Sequence, residues 1–492
     1  MNPLKKLAGQ TVIYGLSSVV GRLLNYLLVP LYTRYFLPEQ YGVVTEMYAY
    51  VAFLVVILTY GIETAFFRYS QKVPNKKTVY STSLISLLVT STIFIVIIYV
   101  SAQPIANWLQ YPETPEYIKY FALIIGLDAV AAISFAKLRE MNNATRFALI
   151  RLVNIFVNIG LNLFFIIYCP YAIENELSSV EFVKSVYLEE IGIGYIFIAN
   201  LIASIVTFLM LLPEMIKSVW IFDKSLWKNM MIYALPLLIA GLAGMTNETI
   251  DRVLLKHLLP DNVNSSSELG LYGAFYKLSI LMILFIQTFR FAAEPFFFAQ
   301  EKEKNSKKIY ADVMKYFVII TSFIFLIVSM FYDFIILFLG EIYRDERGFI
   351  VVSILLAANL FLGIYYNLSI WYKLSEKTKY GAYLSIFGAV ITLTLNFILI
   401  PIIGFVGSAW ATLACYFSMT VASYFIGKKH YNIPYPLKRI FFYLGLALSM
   451  YFTSIHLDSN KIDILYIIIF ISIAFYLEKP KKAVISNPEL FD

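Results

Sequence analysis

The residues best suited to chemistry in this 492-residue chain are charged and amide groups standing in apolar surroundings. Arg22 interrupts the apolar run 11–36, about 16 Å from its start at roughly 1.5 Å per helical residue. An arginine held at that depth offers paired, planar donors that keep their charge, which suits a diphosphate. The other reading is a permanent ion pair with Asp128, at similar depth in a later run. Asp128 also suits a proton-coupling carboxylate, though a fixed Arg22 partner argues against that. Lys277 lies in a third run, with Glu46 standing 231 residues before it. Glu248 and Arg252, four apart, share one helix face beside Asp251. Glu46, Glu248, Asp251 and Lys277 can therefore form a gate. Lys277 and Arg252 can instead receive an anion, or Lys277 can snorkel to headgroups. Arg151, Asn154, Asn158 and Asn162 form a polar stripe at helical spacing, and Asn25 adds another amide. Such amides either bond a hydroxyl-rich ligand across a wet cavity or hold helices together.

Other chemistries lack their residues. There is no G-x-x-x-x-G-K-[ST] loop for a nucleotide. His257, His430 and His456 stand apart, with no metal or triad spacing, so neither metal nor cofactor is expected. Cys169 and Cys415 support no disulfide framework. The basic run Lys302, Lys304, Lys307 and Lys308 reads as an orientation and lipid-contact signal, with no nucleic-acid partner implied.

These residues need elements that work in lipid. Hydrophobic residues make up 60% of the chain and charged ones only 14%, which excludes a soluble or disordered protein. The pattern predicts an all-α polytopic membrane protein with fourteen spans. They cover 11–36, 41–65, 79–100, 117–136, 146–168 and 192–212, then 233–258, 270–295, 311–338, 349–371, 380–400 and 404–426, then 437–455 and 462–477. With both termini inside, cytoplasmic loops and ends carry 28 of the 39 basic residues, outer loops eight and spans three. Pro30 and Pro236 are expected inside helices, as hinges or fixed kinks.

The chain repeats itself. Tyr41-Gly42 aligns with Tyr272-Gly273, and Glu63 with Glu294, at one offset of 231. Asn25 aligns with Asn247 at 222, and Asn162 with Asn396 at 234. Ser385, Gly388, Thr392 and Asn396 answer the Asn stripe, and Gly192-Ile-Gly194 answers Gly404-Phe-Val-Gly407. Each copy holds six spans, so the two are parallel. The expected division is a bundle over 1–225, a second over 226–430, and two added helices with a tail over 431–492. Parallel bundles related by an axis along the membrane normal place a binding site at their interface.

Gln40-Tyr-Gly42 after Phe-Leu-Pro38, Ile250-Asp251-Arg252 and Glu268-Leu-Gly-Leu-Tyr272 resemble the polysaccharide transporter family. Its members include Wzx-type O-antigen flippases, within the superfamily of multidrug, oligosaccharidyl-lipid and polysaccharide exporters. The resemblance implies two six-helix bundles opening alternately to each side of the bacterial inner membrane. It implies export of an undecaprenyl-diphosphate-linked oligosaccharide, with membrane lipids and polysaccharide assembly machinery as partners. The competing readings are a drug or organic-cation antiporter, a membrane enzyme or other non-transport component of glycan assembly, and a scaffold. A basic midplane residue opposes the antiporter; missing carboxylate pairs and loop domains oppose the enzyme.

Overall fold

The computed structural model describes residues 20–479 apart from 22, 302, 304 and 458. The backbone in hydrocarbon must satisfy its own hydrogen bonds, and the described residues do so with helices alone. The first group comprises α1 (Val29–Tyr35), α2 (Pro38–Thr59), α3 (Ile62–Lys72), α4 (Lys76–Val100), α5 (Pro115–Glu140), α6 (Ala144–Leu163) and α7 (Gly194–Ile216). The second comprises α8 (Lys224–Leu258), α9 (Ser265–Leu278), α10 (Ile280–Gln300), α11 (Ser306–Met330), α12 (Arg347–Leu368), α13 (Lys379–Ile403) and α14 (Phe405–His430). Two further helices, α15 (Leu437–Leu457) and α16 (Asn460–Glu478), pack on α11.

Twelve helices among the described residues are long and apolar enough to cross a membrane, and they match the second to thirteenth expected spans. The last expected span is α16. The start of the first lies outside the described residues. Asn75, Asn143, Asp223 and Asn264 cap the starts of α4, α6, α8 and α9 by accepting from backbone N–H groups that the helix leaves unbonded.

Burial sorts the helices. In α5, 72% of the spanning window is buried, and in the span that begins with α12, 78%. No other span exceeds 56%. These two, fourth and tenth in order, are the interior staves of their bundles. By contrast α4 exposes Val89, Ile93, Val96, Ile97 and Val100 along one stripe. That stripe is a lipid-facing surface.

Breaks occur where sequence did not place them. Pro30 stands near the start of α1, after a turn at Leu27 and Leu28, where a missing N–H costs little. Pro236 lies within unbroken α8. The second span bends instead at Tyr60 and Gly61, both left-handed at φ +36° and +72°, and the Tyr60 hydroxyl is tied to Ser86 Oγ at 2.6 Å. The eighth span breaks at Ser279. Gly192 and Gly404, at φ +49° and +61°, make equivalent turns into α7 and α14. A side chain is strained in that conformation, so these turns need glycine.

The groups meet most closely where α2 crosses α9. A Cβ added to Gly42 would lie 1.9 Å from the Ser266 carbonyl oxygen, and one on Gly270 1.8 Å from that of Pro38. Gly42→Ala and Gly270→Ala are therefore expected to destabilise the protein by about 1–3 kcal/mol, the range for overpacking. Thermal unfolding in detergent reads this as a lower midpoint. Gly160→Ala, where an added Cβ meets nothing, is the neutral control.

Candidate functional site

One end of the molecule carries Arg68, Lys72, Lys76, Lys137 and Arg139; call it the basic end. The α2–α9 crossing lies at the other. Several motif residues serve that crossing. Gln40 accepts from the Leu37 N–H at 3.0 Å and caps α2. Tyr272 donates to Asp251 at 2.5 Å. Glu268 receives both terminal nitrogens of Arg347 at 2.8 Å. Arg347 also donates to Asp345 and holds that loop carboxyl below the usual range. Gly340 N–H donates to Thr33, and Tyr343 to the Phe36 carbonyl, so α1 is fastened there too.

Beneath the crossing, between the two groups of helices, lies a cavity of about 340 Å³. Asn25, Tyr32, Thr45, Tyr48, Asn158 and Asn200 line it from one side, and Thr249, Arg252, Tyr276 and Lys277 from the other. Arg252 lies 4.2 Å over the Tyr276 ring and donates to the Glu248 carbonyl at 3.0 Å. Asp251 is turned away to Tyr272 and the Arg252 N–H. Among the described residues neither Arg252 nor Lys277 forms a salt bridge. Two cations thus share a polar hollow at the seam, neither of them in a salt bridge.

The Asn stripe divides between two roles. Asn154 donates to the Ala203 carbonyl and to Thr207, and Asn162, fully buried, accepts from Tyr32 and donates to the Asn158 carbonyl. These two tie helices together. Asn158 donates to Asn25 at 3.3 Å on the cavity wall. Thr392 donates to Asn247 at 3.4 Å in the second group. Asn25 and Asn247, and Asn158 and Thr392, are repeat-mates, so one hydrogen bond occurs twice. Asn162 and Asn396 likewise each donate at 2.8 Å to the carbonyl four residues before. At the basic end Glu63 pairs with Arg139 at 2.5 Å, and Glu294 with Lys373. Those partners too are 234 residues apart. Arg68, five residues on from Glu63, instead covers the Tyr233 ring at 4.2 Å.

The charges expected to form a gate do not all meet. Thr45, Tyr48 and Ala49 of α2 face the cavity with Lys277, while Glu46 points the other way. Glu46 is fully buried and accepts from Tyr111 and from Tyr50 at 3.1 Å, and Tyr50 reaches His257 at 3.3 Å. A helix turns about 100° per residue, so a matching sequence offset does not make two side chains face one another. Glu248 borders a second cavity, in the second group. Asp128 faces Ser204 and Arg151, and Arg151 stacks 4.2 Å over Phe135. Arg22 lies outside the described residues. Tyr48, Thr249 and Tyr276 were not foreseen, and their only signal was nearness in sequence to charges that were; Asn200, also missed, had no such neighbour.

Asn162→Leu is expected to cost about 1 kcal/mol, within the range for a broken buried hydrogen bond, and to lower the unfolding midpoint. Asn158→Ala, on the cavity wall, is expected to shift it less than half as far.

A profile of the family described as polysaccharide biosynthesis protein matches residues 7–299. Comparison with curated proteins gives no match. Solved structures do match. Lipid II flippase MurJ, in an inward closed conformation, aligns with TM-score 0.70 and 16% identity, over 94% of this chain and 99% of that one. An inward-facing multidrug resistance MATE family transporter of the MOP superfamily aligns at 0.64 and 13%, over 85% and 94%. A MOP superfamily transporter from Pyrococcus furiosus, whose binding pocket is described as of reverse polarity, aligns at 0.56 and 13%, over 86% and 94%. At these identities the likeness is one of fold.

Proposed function

The chain belongs to the polysaccharide biosynthesis protein family, and on that premise we propose that it carries an undecaprenyl-diphosphate-linked oligosaccharide across the bacterial cytoplasmic membrane by alternating access. One observation carries the reading: Arg252 and Lys277 stand without salt-bridge partners in a polar cavity at the seam. A lone charge inside a bilayer is costly, by about 2.5–3.5 kcal/mol on insertion scales. Two that form no salt bridge suit an anionic cargo that adds the opposite charge. A diphosphate does so, and its prenyl chain can stay in lipid while the headgroup crosses. Asn25, Asn158 and Asn200 offer amides to the same headgroup. Arg22 is the third cation of this reading.

The basic end then faces the cytoplasm, with both termini there. The closed α2–α9 crossing faces outward, so the cavity awaits cargo from within. The bundles expected over 1–225 and 226–430 are the two bodies that rock. A drug antiporter is the second reading, because a MATE transporter shares the fold. The charge at the seam opposes it, since an organic cation would meet Arg252 and Lys277. The same fold holds a pocket described as of reverse polarity in the Pyrococcus furiosus protein, so polarity separates functions within it.

The test is flipping of a fluorescent isoprenyl-diphosphate sugar in proteoliposomes. Lys277→Ala and Arg252→Ala are expected to lower the rate at least tenfold, and Lys277→Arg to keep most of it. Arg252→Lys, which gives up the planar stack on Tyr276, is expected to fall between them. Unchanged rates in both alanine variants would overturn the proposal. Uptake of organic cations that rises in Lys277→Glu would favour the antiporter.

A further inference from the structure

The second bundle contains a cavity of its own, about 210 Å³, beside the one at the seam. Tyr365, Tyr366, Tyr372 and Tyr416 form much of its wall, with Arg290 and Gly244. Arg290 lies 4.7 Å over the Tyr366 ring and shares Glu294 with Lys373. With Glu248 also on the wall, two carboxylates stand near these two cations, whereas the seam cavity is lined by cations alone among its charged residues.

The fold does not require these tyrosines. The 234-residue offset, which joins Arg139 to Lys373 and Asn162 to Asn396, sets Tyr365, Tyr366 and Tyr372 opposite Ala131, Ala132 and Leu138. In the first bundle Ala131 and Leu138 are buried in a closed apolar core. The same place in the second bundle is opened by Gly244, where an added Cβ would meet no atom within 4 Å. At these positions one copy of the repeat carries alanine and leucine, and the other carries tyrosines that line a hollow. A polar hollow in a membrane-embedded bundle calls for water or a hydroxyl-rich guest. Aromatic rings with polar tips suit a guest that has one apolar face and a rim of hydroxyls. A pyranose ring is such a guest, and the hollow has room for one ring, not a chain.

The two cavities adjoin. On α8, Asn247 and Glu248 face this one, and Thr249 and Arg252 the seam. Tyr276, a wall of the seam cavity, lies beside Tyr366 and Tyr416. We propose that the tyrosine-lined cavity of the second bundle holds one uncharged sugar ring of the lipid-linked glycan while its diphosphate lies at Arg252 and Lys277. This rests on the transport reading and adds to it a place and a chemical class for the glycan.

The experiment measures binding of two probes to the purified full chain: an isoprenyl diphosphate bearing a neutral disaccharide, and the same isoprenyl diphosphate without sugar. Gly244→Leu fills the hollow from α8 and should fold, because leucine favours a helix over glycine. It is expected to weaken the disaccharide probe at least tenfold and leave the sugar-free probe unchanged. Tyr366→Phe, which removes only a hydroxyl, is expected to give a smaller loss of the same kind. Equal weakening of both probes, or no change in either, would overturn the assignment. A probe bearing a uronic acid in place of the neutral sugar is expected to bind more weakly; tighter binding would overturn the choice of an uncharged ring. If neither probe binds the unaltered protein, the transport reading falls, and this assignment with it.

Discussion

Inside a bilayer a polar group has no water to fall back on, and that constraint arranges nearly everything polar in this protein. Most such groups find protein partners. Tyr272 takes Asp251, Tyr32 takes Asn162, and Arg139 takes Glu63. Glu46, a buried carboxyl of the first bundle, is held by two tyrosine hydroxyls. Once these pairings are made, what remains stands out by contrast. Lys277 and Arg252 line a hollow without forming salt bridges, and the hollow lies where two repeat-related bundles meet. The functional reading comes from the remainder, not from the number of intramembrane charges.

The repeat supplies a second test of each residue. Where both copies keep a contact, the contact belongs to the architecture. The Asn25–Asn158 and Asn247–Thr392 bonds are of this kind, as are the Glu63–Arg139 and Glu294–Lys373 pairs. Where the copies part, the difference has another cause. Glu46 in one copy is Lys277 in the other, and Ala131 and Ala132 become Tyr365 and Tyr366. The first difference reverses a charge and the second adds hydroxyls, so the two halves are equal as scaffolds and unequal as binding surfaces.

The spans were legible because twenty apolar residues in a row have few alternatives, and the twelve candidate helices fall where hydropathy put them. The repeat was legible because glycine, amide and carboxylate positions kept their spacing. Side-chain direction was not. Sequence placed Glu46 with Lys277 by offset, and helix rotation sends them to different surfaces. It read the Asn stripe as one thing, yet neighbouring turns of α6 face different partners. Helix breaks at Tyr60–Gly61 and Ser279 were missed because neither proline nor a long polar stretch announces them. Tertiary contacts, such as the Tyr60 hydroxyl on Ser86, hold the first of these breaks.

At the α2–α9 crossing, main chain rests on main chain, with glycine on either side. Side chains can swing aside one at a time and let a thread of solvent through; peptide planes cannot. A contact of that kind parts only when the helices themselves move. A membrane that stores energy as an ion gradient tolerates no slow leak, and on the transport reading proposed above this contact is what would hold one back while the hollow beneath it is open to cargo.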